Sequence, residues 1–405
     1  MARSGREWPD MSVGSHRRGR LPYESQVRRR RSSPLKVRDW RVHTKLAAAL
    51  VVPSLAFLVL AGMQTADVVS GATVLDEFAG QVGLAHQTTA LVHELQEERD
   101  RTIGELAALG PAASPNQIST RLSEVMPPIQ ESVDANLAKF RQAAERQGGS
   151  AAWRSAISAA NAQLDLIGKL RAGTYSAILP SSAVAESYTR MVDALLNVLV
   201  QPSPGEGREE LNRAVLAYAE LAKAKEINSL LRARLFAVAN AGRFTGSERA
   251  ELSDLRSQQF AALAQFRAAA TKEQAQLYDQ TLSAPDGQQA GELAEKATDA
   301  AIEGRVELEP RQWWALGTAA HNLVREVEKP LVASAISRAD SASAKQWRQT
   351  ALVTGLVLAV LLAAMAASVT VGRSMANSLR QLREQALTVA NARLPQLLER
   401  LRQLG

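Results

Sequence analysis

A chain of 405 residues with 46% apolar content has room for two or three folded domains. It has no cysteine, which excludes disulfides, thiolate metal sites and cysteine nucleophiles; its aromatics stand at only 4%, and its abundant Ala, Leu, Glu, Gln and Arg favour helices over a large sheet. The net charge of +7 gathers at the start, where residues 1–45 carry 13 Lys or Arg against four acids, including the run Arg28 to Arg31.

Read alone, that arm suits nucleic acid. The apolar span after it points instead to contact with anionic lipid and to a topology signal. Leu46 to Met63 is 18 residues without a charge, and Ala351 to Val371 is a second such run of 21. Both can cross a bilayer core of about 30 Å, the first only just. A membrane helix tolerates Pro53 because neighbours or water can satisfy the freed carbonyl. A cleaved signal peptide is the alternative for the first run, but its basic leader is long and no A-x-A site follows. No Lys or Arg occurs from Leu46 until Arg99, and Arg373, Arg380, Arg383 and Arg393 follow the second run. Both termini are therefore expected in the cytoplasm and residues 64–349 outside it, with Lys345 and Arg348 weakening the asymmetry slightly.

Residues 64–349 show helical periodicity divided by "GPAASPNQ", "GGS", "GTYS", "QPSPGEG", "GRFTGSE" and "SAPDG". Helical stretches of roughly 20 to 35 residues lie between these breakers. "TGSE" (Thr245 to Glu248) has the spacing of a capping box and marks one start. Long amphipathic helices with short connections make antiparallel neighbours. The expected fold is all-α: a two-span membrane protein with an extracytoplasmic up-and-down helical bundle domain. Its first and last helices are expected to run on from the spans.

One helix carries a fault in its apolar stripe. In "LVHELQEERDRTIGEL", steps of four from Leu91 reach Leu95, then Arg99, then Ile103. A guanidinium at a packed position is costly to bury without a partner. A carboxylate across the bundle could supply one, and so could a ligand. Glu97 and Arg101, at i and i+4, read as an ordinary surface pair.

No catalytic motif appears: there is no Walker loop, no G-x-G-x-x-G after a strand and no G-x-S-x-G elbow. The five histidines form no H-x-H or H-x-x-x-H pair, so no metal site and no cofactor are expected. His86 and His93, seven apart on one face, read as packed or solvated.

"ELQEERDRT" (Glu94 to Thr102), "YAELAKAKEINSLLRARL" (Tyr218 to Leu235) and "RQWWALGTAAHNLVREVEKPL" (Arg311 to Leu331) resemble the nitrate- and nitrite-sensing domain of bacterial receptors. The resemblance runs from about Val69 to Ser343. It implies two four-helix bundles sharing long helices, with an anion held between helices by one early and one later arginine. Arg99 stands at the Arg of the L-Q-x-E-R motif. In "KEINSLLR", Arg232 stands at the second, although Leu231 replaces the usual Glu before it. Arg99 and Arg232 are thus the expected nitrate- or nitrite-binding residues, and the ligand becomes the expected partner of Arg99. The chemistry fits: nitrate is planar with three equivalent oxygens, and guanidinium is a planar fork of donors.

Residues 372–405 resemble the first helix of a HAMP linker and its connector, with Leu379, Leu382, Ala386 and Val389 at coiled-coil spacing. Such receptors pair this arrangement with a histidine kinase output, and no kinase motif occurs within the 405 residues. The whole reads as a membrane receptor, homodimeric through its HAMP-like segment, passing a nitrate or nitrite signal to a histidine kinase or response regulator. A membrane-anchored structural coiled coil without a small ligand is the alternative. Nucleic-acid binding by the arm is not expected.

Overall fold

The computed structural model describes residues 42–244 and 246–388, and side-chain surroundings from residue 55 onward, Ile302 excepted. The basic arm up to residue 41, Thr245 of the expected capping box and the connector from residue 389 lie outside the described residues. Residues 57–366 form one compact unit, and both Arg99 and Arg232 belong to it. Among the described residues every regular element is a helix.

Long helices carry the frame. They are α1 (Val42–Gly83), α2 (Ala85–Leu109), α8 (Glu209–Ala241), α9 (Gly246–Ala269) and α12 (Pro310–Thr388). Between α2 and α8 come α3 (Pro115–Val125), α4 (Pro127–Glu145), α5 (Ala151–Leu164), α6 (Ile167–Tyr175) and α7 (Ser181–Leu199). After α9 come α10 (Lys272–Leu282) and α11 (Pro285–Ile302). Several pieces are shorter than expected, α6 having nine residues and α3 and α10 eleven each. The causes are local. Pro127 and Pro128 cannot continue α3 and instead start α4. Thr271 accepts from the Gln274 backbone while the Gln274 side chain accepts from the Thr271 backbone, a capping box that opens α10. Ser114 and Gln117 do the same for α3. Gly173, expected as a breaker, lies inside α6.

Packing follows the apolar stripes. α2 lies against α4, α7 and α8, α5 against α7, and α8 against α9. One core gathers Leu91 and Leu95 of α2, Tyr188 and Leu195 of α7, Trp153 of α5, Leu221 of α8 and Val327 of α12. A second gathers Leu231, Leu235 and Phe236 of α8, Leu252 of α9, Ala297 of α11 and Trp313 of α12. Each fully buried Leu contributes roughly 2 kcal/mol by leaving water. α8 and α12 supply both cores, consistent with bundles that share long helices.

α1 and α12 are long and apolar enough to cross a membrane. Their apolar runs face outward: Val59, Leu60 and Met63 are each about three-fifths exposed, and Leu352 is 74% exposed. Continuous apolar surface of this kind calls for lipid or a partner chain. α12 is unbroken from Trp313 through this run, as expected for a last helix that runs into a span.

Candidate functional site

Polar side chains at helical spacing on three helices meet inside the unit. α2 supplies His93, Gln96, Glu97 and Asp100; α8 supplies Lys225, Ser229 and Arg232; α12 supplies Thr318, His321, Arg325 and Glu328. Steps of three and four keep each set on one face, so three polar stripes converge where apolar ones would ordinarily pack.

Arg99 is fully buried. Its Nη1 donates to Glu226 Oε1 at 2.5 Å and to Thr189 Oγ1 at 3.1 Å. Its Nη2 donates to Ser229 Oγ at 2.9 Å and Glu226 Oε2 at 3.3 Å, and its Nε to Asp100 Oδ1 at 2.9 Å. A guanidinium has five N–H donors, and these five bonds account for all of them. Burial works against the charge of Arg99, but Glu226 and Asp100 outweigh it and raise its pKa. The partner of the stripe's odd residue is thus a pair of carboxylates, one of them on α8.

Arg232 approaches the same aspartate from the other side. Its Nε and Nη2 donate to Asp100 Oδ2 at 3.0 and 2.8 Å, and Nη2 pairs with Glu97 Oε2 at 3.0 Å. Nη1 donates to Thr318 Oγ1 on α12 at 3.2 Å. The Trp314 ring lies 5.1 Å from the Arg232 guanidinium, a cation–π distance. Trp313 Nε1 donates to the Arg232 carbonyl at 3.0 Å. Asp100, completely buried, therefore places one planar anion between the two arginines, and Ser229 Oγ completes its shell at 2.6 Å. Burial raises the pKa of Glu226 against the pull of Arg99, and raises that of Glu97 against the pull of Arg232.

Glu97 does not pair with Arg101 as expected. It faces Arg232, while Arg101 pairs with Glu105 at 2.7 Å and lies over the Trp314 ring at 5.0 Å. A carboxylate bordering a buried arginine gains more from that charge than from a partly exposed one.

Two further groups flank the arginines. Lys225 Nζ and Arg325 Nη1 both donate to Glu328 Oε2 at 2.6 Å. His93 and His321 stack with centroids 4.7 Å apart and planes 7° from parallel. Burial, followed by the charge of Lys225, pushes the pKa of His93 down to about 2. Beside Arg232 lies a cavity of about 140 Å³ between α8, α9, α10, α11 and α12, and His321 lines it. Among the described residues no cluster of three or more His, Asp or Glu could hold a metal ion.

The sequence had singled out both arginines, and the structure joins them through Asp100. Asp100, Glu226, Ser229 and the histidine stack were not singled out. Glu226 had a visible signal, since it is the second residue of the "KEINSLLR" motif that ends at Arg232.

Residues 90–336 match a family model described as nitrate and nitrite sensing. Nothing among curated proteins matches the chain. Among solved structures it is similar to the NasR transcription antiterminator, at 22% identity and a TM-score of 0.58. That likeness covers 85% of this chain and 90% of the other, and it is a likeness of fold.

Proposed function

Since this chain belongs to the nitrate and nitrite sensing family, matching its model over more than half of its length, we propose that it is a membrane receptor that reads nitrate or nitrite through Arg99 and Arg232. The observation that carries the reading is the seat of Asp100. Two guanidinium groups from different helices converge on one planar, buried carboxylate. Nitrate is also planar and monovalent, and it presents acceptors to the same forks.

Sensing is then an exchange of anions. Nitrate competes with Asp100 for the arginines, and Asp100 loses part of its hold on Arg232. Arg232 is also tied to α12 through Thr318 and Trp313, so the exchange is felt by α12. α12 continues unbroken into its apolar run, which gives a helix displacement a path toward the HAMP-like segment. The proposed topology has the arm and the residues after Val371 in the cytoplasm and residues 64–349 outside it, supported by the distribution of Lys and Arg. Dimerisation through the HAMP-like segment and coupling to a histidine kinase or response regulator complete the proposal.

The alternative is an ion-pair network that only holds the helices together, in a structural membrane protein. It is favoured by one observation: the donors of Arg99 are already saturated by protein. Thermal unfolding of the purified full chain in detergent, in sodium nitrate against equimolar sodium chloride, separates the two. A ligand that binds only the folded state raises its stability by mass action. Nitrate should shift the wild type upward and leave Arg99→Ala and Arg232→Ala unmoved. Arg101→Ala should keep the shift. An equal response to chloride, or no shift in the wild type, leaves only the structural network.

A further inference from the structure

The cavity beside Arg232 has walls of two kinds. α11 contributes small residues, Ala290 and Ala294 among them, and α12 contributes Trp313. Its polar lining is Arg232 and His321 together with Asn228, Arg256, Gln259 and Tyr278; Arg256 donates to Gln259, and Gln259 to Asn228. α12 comes close to the arginine here: a Cβ on Gly317 would lie 3.2 Å from Arg232 Cγ. With no side chain at Gly317, the stem of Arg232 can run along the backbone of α12.

His321 is the odd member of this wall. It is 4% exposed, and neither ring nitrogen has a partner. A neutral imidazole carries one N–H donor and one acceptor, and leaving both unanswered in the interior is costly. Its stacking partner His93 covers one face of the ring and offers it no hydrogen bond. The ring is held neutral, its pKa pushed well below the ordinary value by burial first and then by Arg232, His93, Lys225 and Arg99. The carboxylates Asp100 and Glu97 are engaged on Arg232, and Glu328 is engaged by Lys225 and Arg325. The charged groups lining the cavity are therefore cations, Arg232 and Arg256, with the neutral His321 beside Arg232.

We propose that this cavity is where the anion lodges, with Arg232 as its charge partner and His321 as a third ligand that donates a ring N–H. The inference rests on the sensing reading above and adds to it the direction of approach and a residue that neither motif contains. It also names the class of ligand. A cavity of about 140 Å³ suits a small oxyanion, to which the buried Arg232 offers a cation and His321 an unanswered neutral donor.

Calorimetric titration of sodium nitrate into the full chain in detergent, at constant ionic strength, tests this with three variants. His321→Phe keeps the stack on His93 and removes the donor, so nitrate affinity should fall at least tenfold, with melting without nitrate unchanged or higher. His321→Gln restores an N–H and should recover most of the affinity. Ala290→Leu fills the cavity from α11 and should abolish binding in a chain that still melts cooperatively. Wild-type affinity in both His321→Phe and Ala290→Leu would overturn the inference and leave the sensing reading standing. A wild type that binds no nitrate would overturn both.

Discussion

At the scale of single residues, Asp100 decides how the two arginines behave. Two buried guanidinium groups repel unless something negative lies between them, and Asp100 supplies that charge to both. Breaking a buried pair by removing one partner costs about 3 to 5 kcal/mol, because the remaining charge is left uncompensated. Asp100→Asn should therefore lower the unfolding free energy by an amount of that order. Nitrate should restore part of the loss, giving the variant a larger nitrate-dependent rise in melting temperature than the wild type. If nitrate stabilises the wild type but leaves Asp100→Asn unmoved, anion exchange is the wrong mechanism. Much of this site was legible in the chain. Arg99 interrupts an apolar stripe, and Arg232 ends a motif. What holds them was not, because Asp100 adjoins Arg99 in sequence on a nominally polar face, and Glu226 lies 127 positions away from Arg99. Periodicity reports which face a residue occupies and not which residue meets it there.

At the scale of helices, the α2–α8 contact sets the spacing of the two arginines. It is close because of Gly104: a Cβ built there would lie 1.9 Å from the Phe236 ring of α8. Gly104→Ala must push Phe236 aside or spread the helices. Overpacking of this kind typically costs about 1 to 3 kcal/mol. Chemical denaturation should show a loss of that size, and nitrate affinity should fall with it because Arg99 and Arg232 are drawn apart. Unchanged stability would mean that Phe236 has another place to go. Helix existence was well marked in sequence, since breakers such as Gly110 and Gly242 take the positive φ that ends α2 and α8. Finer divisions escaped. The Asp165–Leu166 junction between α5 and α6 carries neither Gly nor Pro, so no residue type marks it in the sequence.

For the whole molecule, the proposed orientation puts both termini in the cytoplasm, and it rests on the two apolar runs and the placement of basic residues. Cysteines introduced singly at Ser32 and Ser283 should differ in intact cells: an impermeant thiol reagent should label Ser283→Cys and spare Ser32→Cys. Labelling of Ser32→Cys would reverse the topology and put the anion site on the cytoplasmic side. The two helices long and apolar enough to cross a membrane were legible because an uncharged run of that length stands out in the chain. That α8 and α12 each serve two cores was not readable from local pattern, since it depends on contacts between stripes distant in sequence.

Under the proposed exchange, nitrate takes a place beside Arg232 that the protein otherwise answers with Asp100. An experimental structure of the chain determined in nitrate tests it most directly. Anion exchange should show a planar oxyanion within about 3 Å of the Arg232 guanidinium, reached from the cavity that His321 lines, with Asp100 withdrawn from at least one of its two bonds to Arg232. An undisturbed Asp100 between both arginines, with nitrate elsewhere or not bound, would contradict it.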